Sequence, residues 1–224
     1  MKRLCCLLAA LVLLPSCGLA AVVGHDGMYA DRYIHRIEAP NGQALYYLST
    51  EEEETVLWKD VNFDGTEDMV VYSAHGAANF WSLFFVWDGN AYVRAGWDAG
   101  DDAGLPNYEL LPEDGLVLAG CNDGLAGGLH RRWLFRWEGT DLRLVRMAVS
   151  EHAQETAIDA QTGALVTTTD NGRLRVRVTE PDGQGGMRVL WEGAVTLEQA
   201  ANDPQAFAQE DAAFWQGTGR EPNL

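Results

Sequence analysis

The sequence is short of cations: Lys and Arg total 16 against 33 Asp and Glu, a formal net charge of −17. A field of that sign repels phosphate backbones, which disfavours nucleic-acid binding. Apolar runs of membrane-spanning length are also missing, since the stretch Leu4 to Leu14 is about half of the ~20 residues a spanning helix requires. Only four cysteines occur, and Cys5 and Cys6 fall inside that same stretch, so there is no paired set for a disulfide framework. The five histidines, at positions 25, 35, 75, 130 and 152, make no metal-binding pair at helical spacing and adjoin no nucleophile signature. With no catalytic motif to read, the chain is taken as a non-enzyme. What is present is 224 residues of which 47% are hydrophobic, enough for one sizeable core.

The N-terminus reads as an address. Lys2 and Arg3 precede the apolar run, and Pro15, Ser16 and Cys17 follow it, giving a positive region, a short hydrophobic region and a processing site. Residues 1–16 are therefore a signal peptide of lipoprotein type and residues 17–31 a linker. Leu14-Pro15-Ser16-Cys17 resembles a bacterial lipobox, in which Cys17 would become the lipidated first residue; cleavage after Gly18-Leu19-Ala20 is the alternative. The first route places the chain lipid-anchored at the cell envelope or in the periplasm, and the second secretes it. Removing Lys2 and Arg3 leaves 14 basic residues against 33 acidic ones, or −19, a field that attracts divalent cations or a cationic partner. Cys121 is then the one unmodified thiol, and it reads as a buried small hydrophobe.

From Arg32 onward, short apolar stretches alternate with turn signals. Leu45-Tyr46-Tyr47-Leu48, Met69-Val70-Val71-Tyr72 and Leu83-Phe84-Phe85-Val86-Trp87 read as strands. Asn41-Gly42, Asp88-Gly89, Glu138-Gly139 and Asn171-Gly172 offer residues that tolerate positive φ between such runs. Trp87-Asp88-Gly89 is echoed at Trp137-Glu138-Gly139 and Trp191-Glu192-Gly193, about fifty residues apart, which suggests about three repeated hairpin units. The predicted fold is all-β over residues 32–195: antiparallel strand meanders, either an incomplete propeller or a sandwich. Residues 196–224 read as a short helical segment. There Thr196 with Gln199 forms a capping box, Asp203-Pro204 marks a second helix start, and Phe207, Phe214 and Trp215 dock on the β body.

One motif carries chemistry. Asp60-Val61-Asn62-Phe63-Asp64-Gly65-Thr66-Glu67-Asp68 places oxygen donors at loop positions 1, 3, 5 and 9, with Gly at position 6. A hard cation such as calcium takes six to eight oxygens, so Asp60, Asn62, Asp64, the Thr66 carbonyl and Asp68 are the candidate ligands, while Val61 and Phe63 face the protein. Val71 stands where an EF-hand would need a bidentate Glu, and the following residues alternate as a strand. The loop with the Met69-Val70-Val71 strand resembles the calcium loop of FG-GAP and VCBS-repeat proteins. It also resembles a group of exported bacterial single-domain proteins in which such a loop precedes an aromatic-rich hairpin. The resemblance covers about Thr55 to Arg94. It implies a calcium-stabilised binding module that recognises a protein or glycan partner at the cell envelope, in some relatives as an inhibitor of peptidoglycan-cleaving enzymes; an anionic surface suits a cationic, lysozyme-like partner. Asp98, Asp101 and Asp102 are a lesser cation candidate.

A partner surface is sketched by His75 and His130, each preceding a hairpin, and by Trp81, Trp97 and Trp133, which if exposed would stack on sugar rings. The alternative function is accordingly a carbohydrate-active enzyme or lectin-like module.

Overall fold

The computed structural model describes residues 33–76, 78–98, 104–122, 129–159 and 161–221. The expected signal peptide and linker, Cys17 among them, lie outside the described residues. Among the described residues the chain is all-β with a helical C-terminus. A two-stranded ribbon holds β1 (Tyr33–Glu38) and β2 (Ala44–Ser49). A five-stranded sheet follows, with β3 (Val56–Lys59), β4 (Asp68–His75), β5 (Phe80–Trp87) and β6 (Tyr92–Arg94) in order and β8 (Leu105–Pro106) paired to β5. The seven-stranded sheet runs in the order β14 (Met187–Thr196), β13 (Leu165–Pro181), β12 (Asp141–Ile158), β11 (His130–Glu138), β10 (Leu116–Asn122), β9 (Glu109–Leu111). Within it, β7 (Gly96–Trp97) adds a parallel pair to β12, and the other pairings are antiparallel.

These sheets stack as open layers instead of arranging blades around an axis, so the propeller option gives way to sandwich-like packing. The middle layer explains why. Along β4 and β5, Val70, Phe84 and Val86 pack with Val117, Trp133 and Phe135 of the seven-stranded sheet. The alternate residues Met69, Val71, Leu83 and Phe85 pack with Ile37, Leu45 and Tyr47 of the ribbon. Side chains in a strand alternate between faces, so a continuous apolar run means cover on both. The outer face of the large sheet is apolar in turn, and Leu111, Leu116, Leu134, Ala148 and Val178 are covered by Phe214 and Trp215.

Local turn chemistry places most corners. Gly42, Gly89 and Gly139 have φ of 82°, 96° and 64°, as hairpin turns after β1, β5 and β11 require. Two expected features differ. Asn171-Gly172 lies inside β13, beside the register shift at His152/Ala153, and the turn itself is formed between Asp159 and Ala164, whose backbones bond at 2.8 Å. Trp191-Glu192-Gly193 is mid-strand in β14, with Trp191 opposite Val178 and Gly193 opposite Val176, so the third repeat copy is no corner.

Two helices close the chain, α1 (Leu197–Asn202) and α2 (Ala208–Trp215). The Thr196–Gln199 capping box is formed in both directions. Asp203, however, caps only the turn before α2 by accepting from the Gln205 amide at 2.9 Å, and α2 starts four residues after Pro204. Both ends of α2 are clasped by arginines from the sheet. In its first turn the fully buried Glu210 receives Nη2 of Arg132 at 2.6 Å and lies 3.1 Å from Nε2 of His130, while Asp211 receives Nη1 of Arg132 at 2.7 Å. At the other end α2 has no basic residue of its own. There the buried Arg146 donates from Nη1 to the carbonyls of Ala213, Phe214 and Gln216 at 3.2, 2.9 and 2.7 Å. Each arrangement complements the helix dipole.

Burial acts to raise the Glu210 pKa, but the His130 hydrogen bond and the Arg132 and His130 charges overcome it and hold the carboxyl below its ordinary value. The folded state thus binds this proton less tightly than the unfolded chain. Its stabilisation is complete above the unfolded Glu pKa and is lost as pH falls through the lower folded value. Glu210→Ala, which strands Arg132 and His130, is expected to cost about 3–5 kcal/mol. Glu210→Gln should flatten the acid limb of stability against pH, both read by urea unfolding at neutral and acid pH.

Candidate metal centre

The loop from Asp60 to Glu67 joins β3 to β4, whose ends pair as Lys59 opposite Asp68. Val61 is fully buried and Phe63 packs against the same core cluster, while Asp64 is exposed. Two left-handed residues make this possible, Phe63 at φ 65° and Gly65 at φ 87°. A non-glycine residue there costs roughly 1–2 kcal/mol, which the burial of the Phe63 ring offsets. The carbonyl of Val61 accepts from the indole Nε1 of Trp137 at 2.7 Å, so the seven-stranded sheet holds the loop from outside.

The oxygen donors converge on the loop's own amides. The Asp64 N–H is 3.2 Å from both Oδ1 of Asp60 and Oδ1 of Asn62. Gly65 N–H donates to Oδ2 of Asp60 at 2.9 Å, and Thr66 N–H to Oδ1 of Asp64 at 2.8 Å. Nδ2 of Asn62 donates to Oδ2 of Asp64 at 2.9 Å. Burial acts to raise the Asp64 pKa, and the hydrogen bonds from Asn62 and Thr66 outweigh it and keep the carboxyl below its ordinary value. Each of these oxygens has a second lone pair, so the donor set of two carboxylates and an amide oxygen fits a hard, oxygen-seeking cation. Among the described residues no group of three or more His, Cys, Asp and Glu side chains has metal-holding geometry; in this loop the oxygens take up amide protons.

Asp68 is placed differently from the other four candidates. It is fully buried, with Oδ2 accepting from Val61 N–H at 3.1 Å and Oδ1 from Trp87 N–H at 2.9 Å. Burial pushes its pKa up, and the charge of nearby Asp64 adds to that. Its visible role is a brace between the loop and the end of β5. Asp98 is engaged by Nη1 of Arg143 at 2.8 Å and by Leu144 N–H at 3.1 Å, while Asp101 and Asp102 lie outside the described residues.

The five residues sketched as a partner surface do not form one. Trp133 is buried, and Trp97 meets it edge-on at 6.4 Å and Phe135 at 5.7 Å. Both rings take part in the packing between the two sheets, Trp133 as a buried residue and Trp97 as a half-buried one against it. His130 is committed to Glu210. His75 is exposed and stacks on Phe80 at 4.4 Å, near the half-buried Trp81. Their hairpin tip is joined to the end of β10 by Nδ2 of Asn79, which donates to the Asn122 carbonyl at 3.0 Å. The clasp residue Glu210 was not foreseen, because a lone Glu in a short helix carries no signal of its burial.

No protein-family model matches the chain, and no curated protein matches it. Among solved structures, that of a Xanthomonas type IV secretion system related protein is similar at a TM-score of 0.42 and 11% sequence identity, covering 75% of this chain and 84% of the other. So distant a likeness carries no argument about function.

Asp68→Ala leaves the Val61 and Trp87 amides without their acceptor, and each buried orphan costs about 1–3 kcal/mol. Urea unfolding in the presence of a chelator should therefore show a loss of about 2–6 kcal/mol for the two amides together. Asp68→Asn, which keeps one acceptor oxygen, should lose less.

Proposed function

We propose that the chain is an exported binding module, stabilised by one calcium ion, that recognises a protein or glycan partner at the cell envelope. The observation that carries this reading is the convergence of Asp60, Asn62 and Asp64 oxygens on one short loop that is anchored to both sheets. Asp60, Asn62, Asp64 and the Thr66 carbonyl would hold the ion, with Asp68 behind them. When bound, the ion supplies positive charge that orders the loop and fixes the register of β3 and β4; it plays a structural part. The alternative of a lectin or carbohydrate-active enzyme drew on exposed tryptophans; Trp133 is buried and Trp97 packs against the core, which leaves the half-buried Trp81 as its remaining support.

Calcium at about ten times its dissociation constant stabilises the native state by roughly 1.4 kcal/mol, or about 3–6 °C in melting temperature for a chain of this size. A thermal melt with chelator and then with added calcium should show that rise in the wild type and lose it in Asp64→Ala. An unchanged wild-type melt with no ion detected by calorimetry would sink the proposal.

A further inference from the structure

Strands β12 and β13 run for 18 and 17 residues, against about 3–10 for ordinary strands. Their neighbours stop early: β11 pairs with β12 only as far as Val149, and β14 with β13 only from Arg173. From Ala153 opposite Asp170 to Ile158 opposite Leu165 the two strands pair with each other alone, a ribbon reaching about 20 Å past the sheet at ~3.3 Å per residue. The register shift at His152/Ala153 marks its base. Inside the sheet, β13 buries Leu174, Val176 and Val178 in alternation; in residues 153–170 no described side chain is buried. Most of the arm's described side chains are exposed on both faces.

The tip is apolar and fixed. Ile158 and Leu165, directly opposite one another, are 70% and 74% exposed, and Val166 adjoins them at 42%. Asp159 closes the turn by accepting from the Gln161 and Thr162 amides at 2.8 and 2.7 Å, bonds that also hold its carboxyl below the ordinary carboxylate value. Residues 153–170 contain Glu155, Asp159 and Asp170 and no Lys or Arg. A two-stranded hairpin is at best marginally stable alone in water, so a partner that covers this apolar tip would stabilise it.

We infer that this arm is the partner-docking element, and that its occupant is a basic protein presenting an apolar pocket rimmed by Lys or Arg. Charge decides between candidates. A second copy carries the same −17, and an anionic bilayer is likewise repelled, whereas a cationic rim gains from Asp159 and Asp170 while the pocket covers Ile158, Leu165 and Val166. The inference rests on the binding-module reading and names the surface that reading left open.

The test places a photocrosslinking amino acid at Val166, and as a control at the exposed Tyr46, in the full chain expressed in its host. The crosslinked species is identified by mass spectrometry, purified and titrated by calorimetry. The expected result is a basic protein captured from position 166 and not from 46. Its affinity should fall at least about 30-fold with Ile158→Asp plus Leu165→Asp, weaken with rising salt, and fall equally when residues 154–169 are replaced by Asn-Gly. Because the arm lies outside the core, both variants should keep the wild-type calcium-dependent melt. No crosslink at 166, a crosslink there to lipid, to a second copy or to an acidic protein, or undiminished affinity in both arm variants, would overturn the inference. A partner captured only from position 46 would overturn the arm while leaving the binding-module reading intact.

Discussion

Met69, Val71, Leu83 and Phe85 point to one side of strands β4 and β5 while Val70, Phe84 and Val86 point to the other, so neither face of this pair tolerates water. Each large buried side chain contributes about 1.5–3 kcal/mol, and the pair holds seven of them. The ribbon covers one face and the seven-stranded sheet the other. That sheet in turn exposes the apolar residues around Leu134 and Ala148, which α2 covers with Phe214 and Trp215. The layering is thus a chain of obligations that starts in the middle and ends with a short helix whose exposed positions are Gln209 and Ala212.

The loop between β3 and β4 sits where two of these layers meet. Asp68 ties it to β5 through the Trp87 amide, and Trp137 ties it to the large sheet through the Val61 carbonyl. The Val61 side chain enters the core shared by both sheets. An ion gripped on the solvent side of this loop would therefore act on the relation between sheets as well as on one hairpin. That coupling is the physical content of the proposed stabilisation, and it distinguishes this loop from an acidic turn at the rim.

Much of this architecture is legible in the sequence where the determinant is local. The runs Met69 to Val71 and Leu83 to Val86, the glycine corners at 42, 89 and 139, and the Thr196 capping box all depend on residues a few positions apart. Legibility fails where the partner is distant. Asn171-Gly172 has good turn chemistry, yet the pairing of Ala153 to Ile158 with Leu165 to Asp170 moves the reversal to Asp159 and leaves the dipeptide within a strand. Trp191 repeats a corner motif but is held in mid-strand opposite Val178. Trp97 and Trp133 have the composition of a sugar platform and the placement of a core. The oxygen series of the candidate site was legible as a pattern, whereas the commitment of Asp68 to two buried amides was not, because one donor, Trp87, is 19 residues away.

The distribution of charge draws these threads together. Several arginines of the large sheet are consumed internally: Arg132 by Glu210 and Asp211, Arg175 by Glu192, Arg177 by Glu151, and Arg146 with Arg188 by Glu180. The exposed pairs among them, Arg175–Glu192 and Arg177–Glu151, contribute little to stability, about 0–1 kcal/mol each, and together with the more buried clasps of Arg132 and Arg146 they leave few cations to balance the remaining acids. In the loop, Asp60 and Asp64 meet amide protons, and at the arm tip Asp159 does the same. Amide bonds orient a carboxylate without neutralising it. These two places therefore present fixed negative charge on preorganised backbone, and their shapes ask for different cations. Converging oxygens within one tight loop match a small divalent ion, whereas carboxylates spread along a projecting ribbon with Ile158 and Leu165 at its end match a surface in which positive charge surrounds an apolar hollow.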